Sequence, residues 1–310
     1  MKQNIIAVVG PTAVGKTRLS IEIAKAFHGE VISGDSMQVY QGLDIGTAKI
    51  TKEEMQGIPH YMLDIKKPDE PFSVADYRDH VQHYIQQIAA HGHLPILAGG
   101  SGLYIQAALF NYQFSEQRRD PARTKQLEEM IQRDGPDQLY MYLQKIDPNQ
   151  AAKIHPNNHR RLIRAIEIYE TTGKTMSGNK QGQGESPYNP LFIGLEMDRK
   201  QLYERINQRV DQMMAQGLLD EVANLYQQGL ENEQSMRGIG YKEFIPYLKG
   251  EQSLEDAISH VKRNSRRFAK RQFTWFKNKV DVHWYTVQPD TIDQKFHTIL
   301  ADLAGFLEEI

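Results

Sequence analysis

With 310 residues, 40% of them hydrophobic and 25% charged, the chain has ordinary globular composition and enough length for two domains. Its formal net charge of −2 gives no bulk affinity for nucleic acid, and the absence of cysteine excludes disulfides, thiolate zinc sites and thiol nucleophiles. No apolar run approaches the ~20 residues that cross a bilayer, and the short run after Met1-Lys2-Gln3-Asn4 is no secretory signal, so a cytoplasmic protein without a membrane partner is expected.

The first element is a strand, Ile5-Ile6-Ala7-Val8-Val9, which leads into Gly10-Pro11-Thr12-Ala13-Val14-Gly15-Lys16-Thr17. The spacing is G-x-x-x-x-G-K-[ST], a loop whose backbone N–H groups curl around phosphate oxygens while the following helix turns its N-terminus to them. In that pattern Lys16 reaches the outer phosphate and Thr17 places a hydroxyl on Mg²⁺. Leu19, Ile23, Ala24 and Phe27 recur at helical spacing and predict a helix over 16–27. Further strands are expected at 30–33 and 94–98, with a helix over 74–91. This alternation predicts α/β architecture, a parallel sheet covered by helices. Such folds bind ligands beyond the carboxyl ends of strands, where Gly34-Asp35-Ser36 and Gly99-Gly100-Ser101-Gly102 also fall. Asp35 there suits a Mg²⁺ ligand or a general base, and equally a turn-capping carboxylate.

After Asn111 the pattern changes to helices punctuated by Asp120-Pro121, Gly135-Pro136, Asp147-Pro148 and His155-Pro156. Residues 114–190 therefore read as an all-helical insertion, closed by the polar loop Ser177–Pro190, within a core formed by 1–113 and 191–310. The sheet resumes at Leu191–Leu195, and helices are expected over 199–216, 219–228 and 253–278. Arg205 and Arg209 share one face of the first of these; solvated pairing with Glu204 and Asp211 competes with a role in gripping an anion.

Charge is segregated in spite of the near-neutral total. Lys262 to Lys279 holds eight Lys or Arg and no acid. Arg263, Arg266, Arg267 and Lys270 form one helical face, and Val261, Phe268 and Trp275 repeat on another. Such a stripe without counter-charge suits an external polyanion. Arg160, Arg161 and Arg164 offer a second basic patch, and Arg237-Gly238-Ile239-Gly240-Tyr241-Lys242 combines cations, an aromatic ring and a pliable backbone suited to a splayed nucleotide.

Taken in order, GPTAVGKT at 10–17, ISGDSMQVYQGLDIGTAK at 32–49, GGSGLY at 99–104, HPNNHRRLIRAIEIYETTGK at 155–174, RGIGYKE at 237–243 and FAKRQFTW at 268–275 resemble the bacterial tRNA dimethylallyltransferases nearly end to end. Three positions depart from that pattern: Ser101 for threonine, Asn158 for aspartate and Ile50 for proline. The resemblance implies a P-loop NTPase-like core with a helical insertion, Mg²⁺ as cofactor, and tRNA and dimethylallyl diphosphate as partners; a monomer is expected. The implied reaction moves a dimethylallyl group to N6 of the adenosine 3′ to the anticodon.

It further implies that Asp35 serves as base and that Gly10 to Thr17 (Pro11, Thr12, Ala13, Val14, Gly15 and Lys16 between them) hold the diphosphate, with Thr17 on Mg²⁺. Arg205 and Arg209 assist the leaving group, and which of the two faces it stays open. Asp35, Ser36, Met37, Gln38 and Ser101 would meet the target nucleotide. Arg123, the run His159, Arg160, Arg161, Leu162 and Ile163, then Arg237, Gly240, Tyr241, Lys242, Arg266, Arg267 and Lys270 would grip the anticodon arm. A small-molecule or nucleoside kinase explains the loop and Asp35 but leaves the basic helices idle. A prenyl transferase for free adenine nucleotides has no use for the long basic helix.

Overall fold

A computed structural model describes residues 2–110, 120–178 and 184–308. The expected junction at 114 and the centre of the loop expected at 177–190 lie outside these residues. The described chain forms two compact units, one from residues 1–110 with 186–310 and one from 111–185. Residues 186–190 thus belong to the larger unit, because the strand expected at 191 already pairs with the first strand from Asn189.

In the larger unit six parallel strands lie in the order β3-β2-β4-β1-β5-β6. They are β1 (Asn4–Val9), β2 (Gly29–Gly34), β3 (His60–Tyr61), β4 (Leu94–Gly99), β5 (Asn189–Glu196) and β6 (His283–Thr286). β1 lies between β4 and β5, and every residue from Ile5 to Val9 is buried, which accounts for its unbroken Ile/Val/Ala run. Ile5, Ala7 and Val9 join one apolar layer while Ile6 and Val8 join the other. The intervening helices of this unit are α1 (Lys16–Ala26), α2 (Lys52–Met55), α3 (Val74–Ala90) and α4 (Gly102–Leu109). A capping box at Ser73 and Asp76 opens α3.

The regular elements among the smaller unit's described residues are all helices: α5 (Pro121–Asp134), α6 (Asp137–Ile146), α7 (Pro148–Ala151) and α8 (His159–Thr172). Leu127, Leu143, Leu162 and Ile166 centre its own core. Buried Asp147 accepts hydrogen bonds from the Gln150 N–H at 3.0 Å, the Ser177 N–H at 2.8 Å and the Ser177 hydroxyl, so one carboxylate holds the start of α7 and the turn after α8. Asn158 caps α8 by accepting from the Arg161 N–H at 3.4 Å, a task that asparagine and aspartate perform alike.

The larger unit continues with α9 (Arg199–Ala215), α10 (Leu218–Gln227), α11 (Ile245–Leu248), α12 (Leu254–Lys279) and α13 (Ile292–Glu308). Gly217, at φ 99°, caps α10 where the break was expected. The 26-residue α12 buries Ala257, Val261, Ala269, Gln272 and Phe276. That face differs from the predicted 261/268/275 repeat: Phe268 and Trp275 are only half-buried, and the Arg271 guanidinium lies over the Phe268 ring. No described helix is long and apolar enough to cross a membrane.

Candidate active site

Parallel register brings three glycine-rich segments to one edge. Val9 pairs with Gly99, and Gly99 with Gly34, so the peptides that leave β1, β2 and β4 lie side by side. Space there is tight: a Cβ on Gly99 would stand 2.2 Å from the Gly34 carbonyl oxygen, and one on Gly10 would stand 2.5 Å from that of Leu195. Ser101 follows directly, and its hydroxyl accepts from the Ser36 N–H at 3.4 Å. Thus the Asp35–Ser36 and Gly99–Gly102 segments, separate in sequence, form one wall.

The phosphate loop is held from three sides. Ala13 and Gly15 both have positive φ, 65° and 111°, which turns successive N–H groups inward ahead of α1. Lys16 Nζ donates to the Pro11 carbonyl at 2.7 Å, and Arg205 Nε, from α9, donates to the Ala13 carbonyl at 3.1 Å. Ile292 and Phe296 of α13 back Gly15 with apolar contacts. The described sequence elements did not include α13, although Ile292, Phe296, Ile299 and Leu303 carry its helical spacing.

Electrostatics centre on Lys16, Asp35 and Arg209. Burial, and then the nearby Arg209 charge, lowers the Lys16 pKa to about 7 against a partial offset from Asp35. Burial raises the Asp35 carboxyl above its ordinary range; the Met37 N–H, which donates to it at 2.8 Å, and the charge of Lys16 work against that rise. Arg209 is likewise lowered by burial, with Asp35 as its main electrostatic support. A carboxylate set among two cations beside an anion cradle is the arrangement expected of a working base or electrostatic clamp. Arg205 holds the loop's shape while Arg209 faces the charge cluster. Thr17 lies exposed at the start of α1.

Other expected contacts have different places. Gln38 works inside its own loop, accepting from the Ser33 hydroxyl at 2.7 Å and donating to the Thr47 carbonyl at 3.2 Å. Tyr241, expected to face a nucleotide, is fully buried: it packs on Gly46, where a Cβ would stand 2.6 Å from the ring, and donates to Glu221 at 2.6 Å. The same Glu221 accepts from the N–H groups of Asp44, Ile45 and Gly46 at 3.0, 2.8 and 3.1 Å, a clamp on the 44–46 loop that sequence reasoning missed. Gly240 is also buried, with its N–H on Glu243 at 2.9 Å. Arg237 and Lys242 remain exposed on either side. In the smaller unit Leu162 and Ile163 are core residues, which corrects their expected part in a surface contact, while His159, Arg160 and Arg161 are exposed. Arg123 makes a two-pronged pair with Glu170 at 2.7 and 2.8 Å.

The stripe on α12 does have counter-charges, supplied by other elements. Lys262 pairs with Asp211 at 2.6 Å, Lys277 with Glu196 at 3.2 Å, and half-buried Arg266 donates to Asn207 at 2.6 Å. Arg263, Arg267, Lys270 and Arg271 form the exposed basic face. The string Asn278-Lys279-Val280-Asp281 spells the N-K-x-D of guanine-binding proteins, yet it closes α12, and Asn278 Nδ2 donates back to the Thr274 carbonyl at 2.7 Å.

The parallel sheet, the phosphate loop at the end of its central strand and the half-buried carboxylate beside it define a P-loop NTPase-like fold carrying an enzyme site. The profile of the IPP transferase family matches residues 38–279. A tRNA dimethylallyltransferase of Oceanobacillus iheyensis is 61% identical over 310 residues, covering 100% of this chain and 99% of that protein. That of Bacillus pumilus is 54% identical over 308 residues, covering 99% and 97%. Among solved structures, the full-length tRNA isopentenylpyrophosphate transferase of Bacillus halodurans superposes with a TM-score of 0.75 at 50% identity, covering 100% of this chain and 98% of that one. A eukaryotic dimethylallyltransferase acting on tRNA gives a TM-score of 0.78 at 32% identity, covering 93% and 75%. This chain belongs to that family, the tRNA dimethylallyltransferases.

Proposed function

We propose that this protein transfers the dimethylallyl group of dimethylallyl diphosphate to N6 of the adenosine 3′-adjacent to the anticodon of tRNA, releasing diphosphate. The observation that carries this reading is the half-buried Asp35 carboxylate among Lys16 and Arg209 beside the phosphate loop. An adenine amine is a poor nucleophile because its lone pair is delocalised into the ring, so it must lose a proton as it attacks the allylic carbon. Asp35 takes that proton. The carbon–oxygen bond to the diphosphate breaks as the carbon–nitrogen bond forms, and the leaving negative charge falls on the loop amides, Lys16 and Arg209.

On this reading the phosphate loop retains a leaving group and transfers no phosphate. Thr17 and Asp35 supply hard oxygen donors, which suit a Mg²⁺ ion that keeps most of its waters and binds mainly through substrate phosphates. Thr17 would hold it, and the ion would neutralise charge on the diphosphate. The target base must leave the anticodon-loop stack to reach Asp35 and Ser101. Arg160, Arg161, Arg237, Lys242 and the outer face of α12 would bind the RNA backbone.

The test is incubation of the protein with dimethylallyl diphosphate, Mg²⁺ and unmodified tRNA, followed by mass spectrometry of the anticodon arm. Parallel reactions contain free AMP, or ATP with a nucleoside. Prenylated adenosine in tRNA alone is expected, and Asp35→Asn should lower turnover by at least ~10²-fold, within the range of general-base catalysis, with tRNA affinity little changed. Phosphoryl transfer from ATP at a comparable rate, without a prenyl adduct, would overturn the reading.

A further inference from the structure

Gln272 is a buried amide on a helix otherwise rich in surface charge, and the chemistry above makes no use of it. Its Oε1 accepts from the Thr12 N–H at 2.9 Å, across 260 residues of sequence. Its Nε2 lies over Gly100, where a Cβ would stand only 2.0 Å away. One helical turn on, the Trp275 indole covers Gly102, where a Cβ would stand 2.2 Å from the ring. The glycines of Gly99-Gly100-Ser101-Gly102 therefore make room for α12 as well as for any ligand. One side chain so touches both the phosphate loop and the segment that carries Ser101. Lys270 and Arg271, next to it in sequence, point outward.

We propose that Gln272 is a positioning residue: it fixes the Thr12 peptide so that the remaining loop amides face the diphosphate, and α12 thereby sets the shape of the phosphate loop. A partly buried N–H in a tight loop needs a partner that fixes its direction, and the glutamine supplies the acceptor. Loss of that acceptor frees the peptide to rotate and spoils the preorganised cradle. This inference rests on the diphosphate-binding part of the proposed function.

The test titrates inorganic diphosphate with Mg²⁺ into wild type, Gln272→Met and Gln272→Glu, and follows the Thr12 amide by NMR. Gln272→Met matches the volume without the acceptor, so diphosphate affinity should fall about tenfold, the cost of one well-placed hydrogen bond, while affinity for an anticodon stem–loop stays within about twofold. The Thr12 amide resonance should move in Gln272→Met and return toward its wild-type position in Gln272→Glu, which keeps an oxygen acceptor. The carboxylate of Gln272→Glu should weaken diphosphate binding by repulsion. Gln272→Leu, which also lacks the acceptor and should show the same loss of affinity and the same shift of the Thr12 resonance, carries the test if the methionine variant does not fold. Wild-type affinity for diphosphate in each folded variant would overturn the role of Gln272; failure of the wild type to bind diphosphate would instead overturn the function from which it starts.

Discussion

Lys16 carries an electrostatic consequence that a binding experiment can read. Its pKa is pulled down to about 7 from 10.5, first by burial and then by Arg209, so the free protein at about pH 8.5 holds it mostly neutral. A diphosphate favours the ammonium form and raises that pKa again. Binding at about pH 8.5 should then take up close to one proton, and affinity should fall as pH rises from about 7 to 9. Calorimetry in two buffers of different ionisation enthalpy measures the uptake, and Lys16→Met should remove it. Asp35 moves the opposite way: burial raises its carboxyl, so the acidic limb of the transfer rate should lie above the 3.8 of an ordinary aspartate. A limb at or below that value would show a carboxylate far better solvated than the one described.

At the scale of elements, α12 divides its work between two faces. Changing Arg263, Arg267 and Lys270 to glutamine should weaken tRNA binding and flatten its salt dependence by about one unit of slope per lost phosphate contact. Arg266→Gln should change the slope less, since that guanidinium is already engaged by Asn207. In the 44–46 loop, Tyr241→Phe removes one donor from Glu221 and should cost about 1 kcal/mol in denaturant unfolding. These elements differ in how plainly the sequence announces them. β1, β2, β4 and β5 are long and apolar between turn residues, and the phosphate loop is a local string, so both were legible. β3 and β6, with two and four residues on the sheet edges, have too short a pattern to read. Tyr241 between glycine and lysine mimics a nucleotide contact; only packing reveals that Gly46 yields space to its ring. Gln272 is a polar residue in a buried register position, and its partner lies 260 residues away.

For the whole molecule, the division into two units with separate cores predicts separable stability. Leu143→Ala, within the insertion's own core, should cost 2–5 kcal/mol there, the usual range for such a truncation. Hydrogen exchange should then quicken across 120–178, while β1, β4 and β5 keep their protection. Equal loss in both units would show a single cooperative block. The register of the central strand has one further consequence. Asn4 of β1 pairs with Asn189 of β5, so an apolar strand waits for a neighbour made far downstream of it. At ~5–20 residues per second on the ribosome that delay is on the order of 10–40 s, during which one open edge of β1 is a template for misassociation. Holdase chaperones should therefore be found on nascent chains of intermediate length and released once β5 has emerged.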